Sequence, residues 1–202
     1  MVFQRIGLFF ALLLPLCLPV RGGDQEKLVP ARWEVKTDSQ GFLWDINNQN
    51  GGINNGSNDC FSGAFFLRIN GSQYSFQQSQ MTPDGSEYVL SGKASEISFS
   101  RRILVDAKRA GIRYIESITN EKAQDQSLRA EIFVCLGSNP PQRFLDNGKP
   151  FSGGGLDAKS AGFFTIGNDQ RPSVMFLVAD PKSKFRPTVR MEGSQQFVIS
   201  YN

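Results

Sequence analysis

The residues able to do chemistry are densest between Asp45 and Asp59, in the run DINNQNGGINNGSND. Carboxylate and amide oxygens at this density suit a hard cation, and Ca²⁺ takes such oxygens together with backbone carbonyls. Asp45, Asn47, Asn58 and Asp59 are the candidate ligands. Asp45 and Asn47 fit the first two ligand places of an EF-hand loop, but the match then ends. Gly51 stands at the seventh place where the sixth is required, and Gly56 at the twelfth where Glu is required. The competing account is conformational, because Asn, Asp and Gly are also the residues of left-handed backbone and Asx turns.

Other chemistries are bounded by composition. The chain has no His, which removes Ser-His-Asp and Cys-His catalysis, histidine zinc sites and imidazole acid–base chemistry. Cys17 falls in an N-terminal leader, leaving Cys60 and Cys135 as either one disulfide of an exported chain or two buried thiols. Cys60 has no His to activate it, and the neighbouring Asp59 raises a thiol pKa. Glycoside hydrolysis needs two acids ~5–10 Å apart in a cleft. Asp45, Asp59, Glu116, Glu131 and Asp157 are available, but no spacing pairs any two of them. Trp33, Trp44 and Tyr74 would stack on sugars if exposed, although alternating apolar neighbours read a Trp as core. Asn55-Gly56-Ser57 and Asn70-Gly71-Ser72 are formal glycosylation sequons.

The elements that must position these residues read as strands. The N-terminus, MVFQRIGLFFALLLPLCLPVRGG, places Arg5 before an apolar run over 6–20 that is short for a membrane span and contains Pro15 and Pro19. We expect residues 1–22 to be a signal helix cleaved after Gly22, and 23–202 to be a single domain. Loss of Arg5 and Arg21 lowers the formal net charge from +3 to about +1, and no basic cluster suits nucleic acid. No later apolar run reaches the length of a span, so the mature chain is expected to carry none.

After the leader, apolar residues alternate and turn residues punctuate them. Phe65, Leu67 and Ile69 share a face before an Asn70-Gly71 hairpin turn, with Tyr74 and Phe76 placed in the returning strand. Ile97, Phe99, Ile103 and Val105 share a parity that includes Arg101, which is either buried with a partner or turned out by a bulge at Arg101-Arg102. Residues 112–120 form a long strand whose Glu116 is set to pair with Arg113, and Glu131 with Arg129. Leu128, Ala130, Ile132, Val134 and Leu136 alternate without a break, and Cys135 takes the opposite face. Residues 137–160 read as a long, loose connection, functional or mobile. The chain stops within a strand pattern, which reads either as a last strand that ends the fold or as a shortened end. The fold class that follows is all-β: a large antiparallel two-sheet β-sandwich of roughly ten to twelve strands preceded by a signal helix.

Gly52-Ile53-Asn54-Asn55-Gly56-Ser57-Asn58-Asp59-Cys60-Phe61-Ser62-Gly63, followed by Phe66-Leu67-Arg68-Ile69-Asn70-Gly71, resembles a run in uncharacterised exported bacterial proteins. Residues 103–120, with Arg-x-Ile-x-Val-type and Ile-Arg-Tyr-Ile-Glu segments, resemble their later strands. The resemblance implies a β-sandwich and no established activity. Cys60 and Ser62 depart from it, and Ser62 removes a carboxylate usual in those proteins. The expected function is an exported, non-catalytic binding or structural module, periplasmic, cell-surface or extracellular, with a glycan or an envelope protein as partner. The alternative is a carbohydrate-active or carbohydrate-binding protein using loops 47–59 and 137–160.

Overall fold

A computed structural model describes residues 9–13, 27–94, 96–125, 127–138, 140, 142–157, 159–167, 171–180, 182–183 and 186–201. It is all-β. The described strands are β1 (Phe9–Leu13), β2 (Val29–Pro30), β3 (Lys36–Thr37), β4 (Leu43–Trp44), β5 (Phe61–Ile69), β6 (Ser72–Gln73), β7 (Gln78–Met81), β8 (Glu87–Ala94) and β9 (Ile97–Asp106). They continue with β10 (Gly111–Asn120), β11 (Ala130–Leu136), β12 (Arg143–Leu145), β13 (Gly154–Gly155), β14 (Gly162–Thr165), β15 (Val174–Leu177), β16 (Thr188–Met191) and β17 (Gln196–Tyr201). That is more than the ten to twelve expected, because five of these strands are only two residues long and carry no periodicity to read.

Three sheets result. One has nine strands in the order β12-β14-β15-β1-β10-β9-β8-β7-β2, one has six in the order β13-β16-β17-β11-β5-β6, and β3 pairs with β4. The longest ladder joins β9 and β10 antiparallel, from Gly111↔Asp106 to Asn120↔Ile97. Its turn is locally encoded: the Asp106 carboxylate accepts from the Lys108 amide at 2.9 Å, and Ala110 takes a positive φ of 51°. The Asn70-Gly71 turn likewise joins β5 to β6 through Ile69↔Ser72, with both residues at positive φ. The returning strand stops at Gln73, so Tyr74 and Phe76 lie beyond it.

Rings from the two larger sheets pack on one another. Phe65 of β5 stacks on Tyr114 of β10 at 4.8 Å, and Phe197 of β17 meets Phe163 and Phe176 edge-on at 5.3 and 5.1 Å. These rings are all but inaccessible to solvent. Phe65 owes its place to a bulge: the β5–β11 register passes from Phe66↔Phe133 to Ala64↔Val134, and Phe65 adopts φ +62°. Ala64 and Phe65, adjacent in sequence, are both buried as a result.

One strand falls within the expected leader. Where a signal helix is expected, Phe9–Leu13 is a strand, parallel to both β10 and β15. The nine-stranded sheet is therefore mixed. An apolar segment can satisfy its backbone as a helix or between two strand edges, and here two edges supply the partners. The rest of the expected leader lies outside the described residues.

Candidate functional site

The polar run is tied into the fold by its own side chains. The Asp45 carboxylate accepts from the backbone amides of Asn55 at 3.0 Å and Gly56 at 2.8 Å. Asn47 donates its amide to Asn54 Oδ1 at 3.0 Å and accepts from the Gln49 amide at 2.9 Å. Asn58 and Asp59 form a short 3-10 turn at φ 55° and 49°, exposed to solvent. Oxygens of Asp45 and Asn47 that a cation would need are thus engaged by backbone and amide donors. Among the described residues, no three His, Cys, Asp or Glu side chains form a metal-ligating group. The apolar Ile53 anchors the run: it bridges to Ile46 and Ala64 and is fully buried. Gly51, at φ +68°, lies so close to β9 that a Cβ would stand 2.7 Å from Ile103 Cδ1.

Arg101 holds this loop from below. Its side chain is fully buried, which decides between burial and an outward bulge. Nε donates to Glu116 Oε1 at 2.8 Å, and Nη1 donates to the carbonyls of Asn50 at 2.9 Å and Phe65 at 2.7 Å. The guanidinium also lies over the Tyr114 ring, 5.0 Å from its centroid. Glu116 therefore pairs with Arg101, whereas the sequence pointed to Arg113. Glu131 is buried and lies within 3.6 Å of Arg129, as expected, and 3.9 Å of Arg190.

The described residues of 137–160 are largely exposed or half-buried, but Leu145, Phe151, Leu156 and Ser160 are buried and pin the connection to the fold. They contain β12 and β13, and Phe151 packs on Phe163 at 5.0 Å. Arg186 donates to the carbonyls of Asp157 and Ser160, the Ala161 amide to Asp146 at 2.7 Å, and Lys149 pairs with Asp157 at 2.7 Å. This loop meets the polar run at one end, where the Gly137 amide donates to the Cys60 carbonyl at 3.0 Å.

The acids expected to be free for hydrolysis are mostly committed: Asp45 to amides, Glu116 to Arg101, Glu131 to arginines and Asp157 to Lys149. Cys60 and Cys135 are both free and buried, not bonded to each other. Cys60 heads β5 beside Leu136, while Cys135 follows Val134 on the other parity of β11. Burial pushes the Cys60 thiol up to about 12 against a smaller opposing effect of Arg171. Of the candidate sugar-stacking rings, Trp44 is buried and donates to the buried Asp38 carboxylate at 3.0 Å, and Trp33 stacks on Tyr88 at 4.6 Å.

A different place is recessed and polar. A shallow hollow of about 370 Å³ is lined by Gln77, Gln78, Ser91, Ser98, Ser100, Ser117 and Thr119, among others. The register explains it. Gln78↔Ser91, Ser91↔Ser100 and Ser100↔Ser117 set one row across β7, β8, β9 and β10, and Lys93↔Ser98↔Thr119 sets the next. Neighbouring strands put such positions ~4.8 Å apart. Small side chains in both rows leave the depression. Glu121 binds Lys93 and Ser98 at its edge; the hydrogen bond to Lys93 holds Glu121 low, and its counterpart holds Lys93 high. The hydroxyls of Ser100, Ser117 and Thr119 have no partner among the described residues. Sequence reasoning passed over them because Ser-x-Ser on the outward parity looks like ordinary solvated strand; the signal was there in SFS and SIT, but it needed the register.

The chain matches no protein-family model, no curated protein and no solved structure. Among the described residues, no helix is long and apolar enough to cross a membrane.

Proposed function

We propose that this chain is an exported, non-catalytic β-sandwich module that binds a neutral, polyhydroxylated ligand, a glycan, on the outer face of its nine-stranded sheet. The two larger sheets are taken as the layers of the sandwich, supported by the ring contacts of Phe65 and Phe197 across them. The observation that carries the binding reading is the block of hydroxyl and amide side chains on adjacent strands, three of whose hydroxyls have no internal partner. A neutral hydroxyl field edged by a self-neutralising Lys93–Glu121 pair favours sugar hydroxyls over ions. The engaged carboxylates and the raised Cys60 thiol argue against hydrolase or nucleophile chemistry. In loops 47–59 and 137–160 the side chains of Asn47, Asn50, Asn54, Asn147 and Asp157 bond within the fold, and the glycan reading is placed on the strand face instead.

With about 1 kcal/mol per hydrogen bond, and the ring of Phe99 in the lining too buried to stack on a sugar, three or four bonds give a dissociation constant of about 1–6 mM. Titration of a polysaccharide and oligosaccharide panel followed by amide NMR tests this. Shifts should map to Ser91, Ser100, Ser117 and Thr119, and Ser100→Leu should abolish them while changing stability by no more than about 0.5 kcal/mol. Shifts that survive Ser100→Leu, or none up to about 10 mM, would reject the glycan reading.

A further inference from the structure

Resting on the glycan reading above, we infer that the hydroxyl hollow is a channel for the interior of a long, uncharged, extended polysaccharide that lies across the strands. Its floor is the row Gln78–Ser91–Ser100–Ser117, one residue from each of β7, β8, β9 and β10. Neighbouring positions stand one strand spacing apart, ~4.8 Å, so the row runs for ~14 Å. Along the strands the hollow is short, because the next rows stand only ~7 Å away on either side. One of them is Val89, Arg102 and Ile115, in register and half-buried, with Arg102 held by an ion pair to Glu87. The other is Lys93, Ser98 and Thr119, where the Glu121 carboxylate binds both Lys93 and Ser98. Glu121 is itself anchored, its amide donating to the Glu96 carbonyl at 2.8 Å. Each bank therefore carries an ion pair whose charges cancel.

Across the strands the row meets no stop among the described residues. β2 flanks β7 only at Gln80 and Met81, and β1 flanks β10 only from Gly111 to Tyr114. Gln78 at one end of the row and Ser117 at the other are both exposed. A chain seated on the row can continue past both ends. A site for chain termini would instead need a wall at one of them.

The spacing and the banks select the chain. In a flat, β-linked polymer each pyranose with its bridging oxygen advances about one strand spacing, ~4.8 Å, so successive units can each reach one position of the row. A coiled, α-linked chain turns successive hydroxyls away from a straight row. Ser100 and Ser117 offer hydroxyls with no partner among the described residues, and Ser91 shares its own with Gln78 over a long 3.5 Å. Val89 and Ile115 give the C–H edges of the sugar rings an apolar bank. The cancelled charges of Arg102–Glu87 and Lys93–Glu121 offer no net counter-charge to a uronate or a sulfate ester.

The test titrates β-linked oligomers of glucose and of N-acetylglucosamine, from one to six units, into the full chain, with α-linked glucose oligomers alongside. Amide NMR at Ser91, Ser100 and Ser117 follows binding. The dissociation constant should fall about fivefold with each unit up to four, one hydrogen bond per unit, and then level off. Chemical reduction of the terminal ring of the six-unit chain should leave it unchanged, because the ends lie outside the channel. Ser117→Ala should erase only the gain brought by the fourth unit. Equal binding of one and four units, tighter binding of the α-linked series, or loss on end reduction would overturn the crosswise channel and leave the glycan site standing. Shifts from none of the oligomers would overturn both.

Discussion

Replacing Arg101 by Met tests the central claim about the polar loop, that a single buried guanidinium holds it. Met keeps a long apolar chain in the space and removes every donor. Glu116 then loses its counter-ion, with only 14% of its side chain exposed, and the carbonyls of Asn50 and Phe65 lose theirs. Breaking a buried pair from one side costs about 3–5 kcal/mol, and an orphaned buried carbonyl about 1 kcal/mol or more. Partial solvent access at Glu116 reduces the first figure, so a total near 4–5 kcal/mol is expected, a large share of a typical domain's stability. For a chain of this size that lowers Tm by roughly 10–15 °C. Urea unfolding of wild type, Arg101→Met and Arg101→Met/Glu116→Gln measures it. The double variant should recover about 2 kcal/mol, because neutral Gln no longer leaves a buried charge unpaired. Arg101→Lys should recover little, since a point ammonium cannot reproduce the fork that reaches both carbonyls and Glu116. A loss under about 1 kcal/mol for Arg101→Met, at unchanged m, would refute the reasoning.

Two further outcomes follow from the titrating groups. With its thiol at about 12 against an ordinary 9.0, Cys60 should react with iodoacetamide at pH 8 about a thousandfold more slowly in the folded protein than after unfolding, and thiol counting in denaturant should find both Cys60 and Cys135; rapid native labelling at Cys60 or a missing thiol pair would contradict this. Asp84 is held down to about 2 by the Thr82 hydroxyl, then by the amide and hydroxyl of Ser86, so its contribution to the turn is complete above about 3.8 and is lost only as pH falls through about 2; a side-chain carboxyl NMR titration centred near 4 would refute that geometry.

The strands were legible where periodicity was long. β9, β10 and β11 follow from long alternation, unbroken in β11 and carrying Arg101 in β9, and the β5–β6 turn follows from Asn70-Gly71, residues that favour positive φ; the β9–β10 turn places Ala110 at positive φ, which its residue type does not favour. The two-residue strands were not legible, because two positions carry no period. The polar run shows the harder limit. Its Asn, Asp and Gly content fitted a cation loop and a turn equally, since both use the same oxygens. Asp45 is decided by two amides ten and eleven residues away, and Asn50 by Arg101 more than fifty positions on.

Local pattern alone determined that this chain is all-β, that it lacks histidine chemistry, and that Arg101 sits on an apolar parity. Each depends only on neighbours a few residues apart. Tertiary structure alone decided that Glu116 is Arg101's partner, that Ser91, Ser100 and Ser117 stand in one row, and that Phe9–Leu13 lies between β10 and β15. These depend on strand register and strand order, which arise when distant segments pair. A one-residue change of register would turn the serine row to the opposite face.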